Sequence, residues 1–146
     1  MPTKLMTAFS YAVSAFNSGD YSNSLKPLLH RHVVMNQVDD PTAPPRAGID
    51  NVIEYLVTTQ SKSLPQFHYV PDASDPIMYG PVEAPKDTDG AAAHVLHAQI
   101  SGIGTYQDFK NDPTTLTHVR YFFLFRRESL RDSWLLVHAT ATPYKP

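Results

Sequence analysis

The chain has 146 residues, a formal net charge of −2 at pH 7 and no cysteine. This length is typical of one domain, and hydrophobic residues, at 42% of the chain, suffice for one core. The absence of cysteine excludes disulfide bonds, thiolate catalysis and thiolate metal sites. The scattered basic residues give no indication of a nucleic-acid partner, and no apolar run reaches the roughly 18–20 residues of a membrane span. The N-terminus has no apolar stretch resembling a signal peptide, so a cytoplasmic location is the default expectation.

Three segments in the first half of the chain are predicted to be helices, because their apolar residues recur at helical spacing. The first covers residues 4–17 and ends before Gly19, a residue type that caps helix C-termini. Asp20 can cap the element that follows. The second predicted helix covers residues 22–30, and the third covers residues 48–61.

Five further segments are predicted to be strands, because β-branched and aromatic residues are frequent in them. They are residues 33–38, 67–70, 91–107, 115–127 and 133–142. Residues 71–90 contain four prolines and little periodicity, and we predict that they form an irregular, proline-rich insertion. Helices followed by consecutive hairpin-linked strands are typical of an α+β domain with an antiparallel sheet. We therefore predict a single domain over residues 1–146.

The order of these elements, and several short phrases within them, resemble the NTF2-like (SnoaL-like) superfamily. Residues 15–20 (Ala-Phe-Asn-Ser-Gly-Asp) are similar to the junction between the family's first two helices, and residues 46–49 (Arg-Ala-Gly-Ile) to the entry of its third. Residues 89–92 resemble the turn before a long strand, and the segments 119–127 and 134–142 resemble the closing hairpin. The resemblance implies a cystatin-like cone, in which three N-terminal helices pack on a curved antiparallel sheet and a pocket opens between them.

The resemblance leaves two functional hypotheses open, because such a fold does not determine the activity. Members include ketosteroid isomerases, polyketide cyclases and dehydratases, and also proteins that only bind a partner. The first hypothesis is a lyase or isomerase without a cofactor, which moves a proton on a small apolar, oxygenated molecule of polyketide- or steroid-like kind. The second is a non-catalytic domain that binds a small ligand or assembles as a dimer. An enclosed cavity with converging polar groups favours the first, and an interior filled by Phe and Tyr side chains favours the second.

Three residues are candidates for acid–base catalysis in such a pocket. Asp40 follows the first strand, near the position where isomerase-like members carry their proton-shuttling carboxylate; the alternative is an ordinary Asp-Pro turn. His68 lies in the region where dehydratase-like members have a histidine acid or base; the alternative is a structural histidine. His97 follows His94 by three positions on one strand, so only one of these two histidines can face the pocket.

The candidate pocket walls are aromatic or hydroxyl-bearing residues of the helices and late strands: Phe16, Tyr55, Thr117, Tyr121 and Trp134. Isomerase-like members hold an enolate oxygen with a Tyr on the first helix and an acid on the penultimate strand. In this sequence those positions fall on Ala12 and near Thr117. That oxyanion pair is therefore absent, which argues against ketosteroid isomerase activity itself.

Neither a metal site nor a cofactor is predicted. The seven histidines include no pair at the spacing of metal-binding helices, and the sequence has no glycine-rich phosphate loop. Residues 115–127 are partly apolar on both faces, with Tyr121 and Phe123 on one, and Phe122 and Leu124 beside His118, Arg120 and Arg126 on the other; the alternative is that the aromatic residues only reflect their β propensity. In this superfamily the outer sheet face commonly packs against a second copy, so a homodimer through that face is expected.

Overall fold

The computed structural model of the chain describes residues 4–37, 42–58, 66–69, 77–83, 94–107, 116–128 and 132–145. The helical elements are α1 (Leu5–Ser18), a π-helical turn (Tyr21–Leu25), a 3₁₀ turn (Lys26–Leu28) and α2 (Ile49–Thr58). The strands are β1 (Leu29–Met35), β2 (Arg46–Ala47), β3 (Gln66–Tyr69), β4 (Ile77–Glu83), β5 (His94–Gln107), β6 (Leu116–Arg127) and β7 (Leu135–Pro143). Within these residues, no helix combines the length and the apolar character that crossing a bilayer requires.

Helix α1 lies close to its predicted bounds because one of its faces is continuously apolar. That buried face consists of Ala8, Phe9, Ala12, Ala15 and Phe16. Gly19 ends the helix with a φ of 76°, in the left-handed region that favours glycine, and its N–H donates to the carbonyl of Phe16. The Asp20 carboxylate accepts a hydrogen bond from the N–H of Asn23. Both capping predictions are therefore confirmed.

The described strands form one sheet in the order β2-β1-β7-β6-β5-β3, and β4 also pairs with β5. Strand β5 spans 14 residues and pairs along its length with β6. On its other edge, β5 pairs with β4 near its start and with β3 near its end. All of these pairings are antiparallel except that of β1 with β7, which is parallel. The α+β fold class is confirmed, with a mixed sheet in place of an antiparallel one.

The core lies between the helices and one face of the sheet, which we call the inner face. Strand β6 shows the alternation: Val119, Tyr121, Phe123 and Phe125 are at most 2% exposed. The residues between them are only partly buried or exposed, and they lie on the opposite, outer face. Helix α2 contributes Val52, Ile53, Tyr55 and Leu56 to the same core.

Two predicted elements differ in the structure. Residues 22–30 do not form one helix, since the π-helical and 3₁₀ turns end at Leu28 and the next residue already pairs with Leu136 in the parallel β1–β7 ladder. This pairing with a distant strand outweighs the helical spacing of the local leucines. Within the segment 71–90, predicted to be irregular, Ile77–Glu83 form β4 against β5. The rest of that segment lies outside the described residues.

Candidate functional site

The three acid–base candidates have different placements. Asp40 lies outside the described residues. His68 is in β3, where its Cα partner is Ile103 of β5. In β5, Ala98 is fully buried on the inner face, whereas His97 and Gln99 are partly exposed. His97 therefore lies on the outer face, which answers a question that the sequence left open.

His97 belongs to a group of ionisable side chains that we call the Glu128 cluster, namely His30, His97, Arg126 and Glu128. His97 and Arg126 are Cα partners across the β5–β6 ladder. Partial burial and the positive charge of Arg126 lower the pKa of His97, although the charge of Glu128 opposes them. The His97 ring is therefore neutral at pH 7.

Glu128 is the centre of this cluster. His30 is 4% exposed, and its Nε2 lies 2.8 Å from Oε1 of Glu128. The N–H of His32 donates to Nδ1 of His30 at 3.0 Å, so Nδ1 is unprotonated and Nε2 donates to the carboxylate. Arg126 donates from Nη2 to Oε2 at 3.2 Å, and its Nε lies at ion-pair distance, 3.1 Å, from Oε1.

These contacts decide the charge and the role of Glu128. Partial burial on its own raises the pKa of the carboxyl, but the hydrogen bonds from His30 and Arg126, with the charge of Arg126, outweigh it and hold the pKa below its usual value. Since His30 and Arg126 both contact the carboxylate, the cluster is best explained as a clamp that joins the start of β1 to the end of β6. In the described part of the chain, no three His, Asp or Glu side chains converge in a way that could hold a metal ion.

The candidate pocket walls lie on the inner side of the sheet. Phe16, Tyr55, Tyr121 and Trp134 are each at most 3% exposed and belong to one hydrophobic core. The Phe16 ring lies 5.3 Å from that of Phe123, which in turn lies 4.9 Å from Tyr121. Thr117 is half-buried and falls in the inner-face register of β6. Aromatic rings thus fill the region between α1 and β6.

Tyr21, which the sequence reasoning missed, is the unusual polar residue of this core. Its side chain is 1% exposed and its ring meets that of Phe16 edge-on, with centroids 6.3 Å apart. The buried Oη has no hydrogen-bond partner among the described residues. Burial raises the pKa of Tyr21 to about 12, so its hydroxyl stays protonated at neutral pH. From the sequence, a tyrosine at an apolar position could not be told from a core phenylalanine.

The local chain fixes the position of Tyr21. It is the first residue of the π-helical turn, and its carbonyl accepts a hydrogen bond from the N–H of Lys26. Asp20 holds the same turn through the N–H of Asn23 and the hydroxyl of Ser24, at 3.4 and 3.0 Å. Single π-helical turns are rare in proteins, but those that occur are often found at functional sites. The turn therefore holds a buried phenol in a defined place.

The fold is similar to that of many solved structures, although no family model and no curated protein matches the sequence. A ketosteroid isomerase-like protein from Erwinia carotovora atroseptica gives a TM-score of 0.60 at 16% identity, over 97% of this chain and 95% of that one. A proposed dehydratase from the NTF2-like family of Streptomyces avermitilis gives 0.61 at 16% identity, over 97% and 94%. A proposed calcium/calmodulin-dependent protein kinase II association domain from Xanthomonas campestris gives 0.60 at 13% identity, over 96% and 85%. At these identities the similarity establishes the fold alone.

Proposed function

We infer that this chain, which has the NTF2-like fold, is an enzyme of the isomerase, dehydratase or cyclase type that needs no cofactor and acts on a small apolar, oxygenated molecule. The observation that carries this proposal is the buried Tyr21 hydroxyl, which lacks a partner among the described residues. Burying a hydroxyl without a partner costs about 1–3 kcal/mol. A ligand oxygen that enters between the apolar side chains packed around Tyr21 would offset that cost.

The proposed chemistry is proton transfer beside a carbonyl group. Asp40 takes a proton from the adjacent carbon, the electron pair of the broken C–H bond moves into the new C=C bond, and the carbonyl oxygen becomes an enolate. Tyr21 donates a hydrogen bond to that oxygen as its negative charge grows. Asp40 or His68 then returns the proton to another carbon, or His68 protonates a leaving hydroxyl. In this proposal Tyr21 supplies the donor that the sequence lacks at Ala12 and Thr117.

Replacing Tyr21 by phenylalanine tests the role of its hydroxyl. As probes we choose 2-tetralone, a bicyclic ketone, and tetralin, the hydrocarbon with the same skeleton. We expect Tyr21→Phe to weaken 2-tetralone binding about three- to tenfold and to leave tetralin binding unchanged, because one hydrogen bond to the ketone oxygen is lost. Without ligand, the variant should gain about 1 kcal/mol in free energy of unfolding, since an unsatisfied buried hydroxyl is removed. Calorimetric titration and urea denaturation measure the two effects.

Tyr11→Phe is the matched control, because Tyr11 is 54% exposed on α1. We expect neither its binding nor its stability to change. If Tyr21→Phe instead binds both probes as the wild type does and is less stable than the wild type, the hydroxyl has a structural partner and the proposal is wrong.

A dimeric assembly domain is the second candidate, and the outer face favours it. Phe122 and Leu124 are only half-buried there, and the Phe122 ring meets His138 edge-on at 5.4 Å. Nε2 of His138 lies 2.7 Å from Oδ1 of Asn36, and burial lowers the pKa of His138, so its ring is neutral at pH 7. This partly apolar patch, whose histidine ring is uncharged, suits a second copy of the chain. The aromatic filling between α1 and β6 also agrees with a domain that turns over no substrate.

Replacing Leu124 by glutamate tests the dimer. We expect the wild-type chain to sediment as a dimer and Leu124→Glu to sediment as a monomer, because a carboxylate would be buried at the centre of the interface. Ser10→Glu adds the same charge on the exposed side of α1 and should leave the dimer intact. Sedimentation velocity over a range of concentrations measures the mass. A wild-type chain that stays monomeric throughout would rule out this interface.

A further inference from the structure

A groove of about 470 Å³ lies where β1 and α2 begin and β6 ends. Its floor is apolar and comes from β1, α2 and β7. Three arginines and two carboxylates line it: Arg31, Arg126, Arg127, Glu128 and Asp132. Its volume falls within the range of small-molecule sites, and positive charge predominates in its lining.

The charges of this groove are unevenly paired. Arg126 and His30 already contact Glu128, so that carboxylate is not available to the other two arginines. Asp132 is exposed and forms no ion pair with a described residue. Arg31 donates from Nε to the ring of His32 and pairs with no carboxylate in the described part of the chain. Two guanidinium groups, those of Arg31 and Arg127, are therefore left without a counter-charge of their own.

Arg127 is held in place by an aromatic ring. Its Cζ lies 4.4 Å from the centre of the Trp134 ring, and Trp134 is 2% exposed. Its Nε is buried and has no hydrogen-bond acceptor among the described residues. A guanidinium held over a tryptophan ring loses little freedom when it binds, and its planar donors match the two oxygens of a carboxylate.

We propose that this groove is a binding site for a small carboxylate with an apolar body, held by Arg127 with Arg31 beside it. The carboxylate forms an ion pair with the guanidinium of Arg127, and the hydrocarbon part lies on the aliphatic floor. Inorganic phosphate shares the oxyanion chemistry but makes no use of that floor, so it should bind more weakly. This site is separate from Tyr21 and does not depend on the proposed enzymatic activity.

Benzoate, benzamide and inorganic phosphate are the probes for a direct test. Trp134 is the one tryptophan in the sequence and its ring contacts the Arg127 guanidinium, so its indole N–H signal and its fluorescence respond to binding at Arg127. We expect benzoate to shift the Trp134 indole and Arg127 Nε–H signals along a saturating curve. Neutral benzamide should not shift them, and phosphate should shift them only at higher concentration.

Arg127→Gln should weaken benzoate binding about tenfold or more, because the charged hydrogen bonds are lost. The matched control is Arg120→Gln, since Arg120 also stacks on an aromatic ring, that of Tyr144 at 5.2 Å, but does not line the groove. If Arg127→Gln folds poorly, the titration of the wild-type protein with benzoate and benzamide still tests the proposal. The absence of a saturable benzoate shift, or equal shifts with benzamide, would overturn the proposal.

Discussion

Replacing Phe123 by alanine is expected to lower the free energy of unfolding by about 3–5 kcal/mol. Phe123 is 1% exposed and lies at the centre of the inner-face aromatic cluster. Its ring centroid lies 6.0 Å from that of Phe9, 5.3 Å from Phe16 and 4.9 Å from Tyr121. Truncation would leave a cavity between α1 and β6 that these large rings can only partly fill. Urea denaturation followed by circular dichroism measures the loss.

The neighbouring residue provides the matched control. Phe122 is half-buried on the outer face, where its described ring contact is with His138. We expect Phe122→Ala to cost about 1 kcal/mol, since the Phe122 side chain is only half-buried within one chain. Equal losses for the two variants would contradict the assignment of inner and outer faces.

Much of this fold can be predicted from the sequence, because local signals and tertiary packing agree. Helix α1 has a continuous apolar stripe that ends at Gly19, and both features survive in the structure. The late strands carry alternating aromatic residues that match the two faces of β6. The wrong predictions occur where pairing with a strand distant in the sequence determines the local secondary structure. The leucines of residues 22–30 are spaced as in a helix, but Leu29 pairs with Leu136, and the segment Ile77–Glu83 becomes a strand only by pairing with β5.

The candidate site is less predictable than the fold, because it depends on which face each side chain occupies. Spacing showed that His94 and His97 lie on opposite faces, but not which of them faces inward. The contact of His30 with Glu128 joins residues far apart in the chain, and nothing in either local sequence indicates it. Tyr21 stands at an apolar position, and only the packed structure shows that its hydroxyl is buried without a partner among the described residues.

The proposed acid–base role of Asp40 predicts the largest effect on activity. We expect Asp40→Asn to slow proton removal from a bound ketone about 10²–10⁴-fold, the range typical of a lost general base. The asparagine amide has nearly the size of the carboxylate but cannot take up the proton. Asp50→Asn is the matched control, because the Asp50 side chain is 96% exposed and forms a surface ion pair with Lys26. That variant should retain the wild-type rate.

Deuterium exchange beside the carbonyl of 2-tetralone, followed by proton NMR in D₂O, tests this claim most directly. It detects proton removal whether or not a product forms, so it does not require the natural substrate. We predict that the wild-type protein and Asp50→Asn accelerate the exchange over buffer and that Asp40→Asn does not. Exchange at the buffer rate with the wild-type protein, or equal acceleration by Asp40→Asn, would contradict acid–base catalysis by this chain.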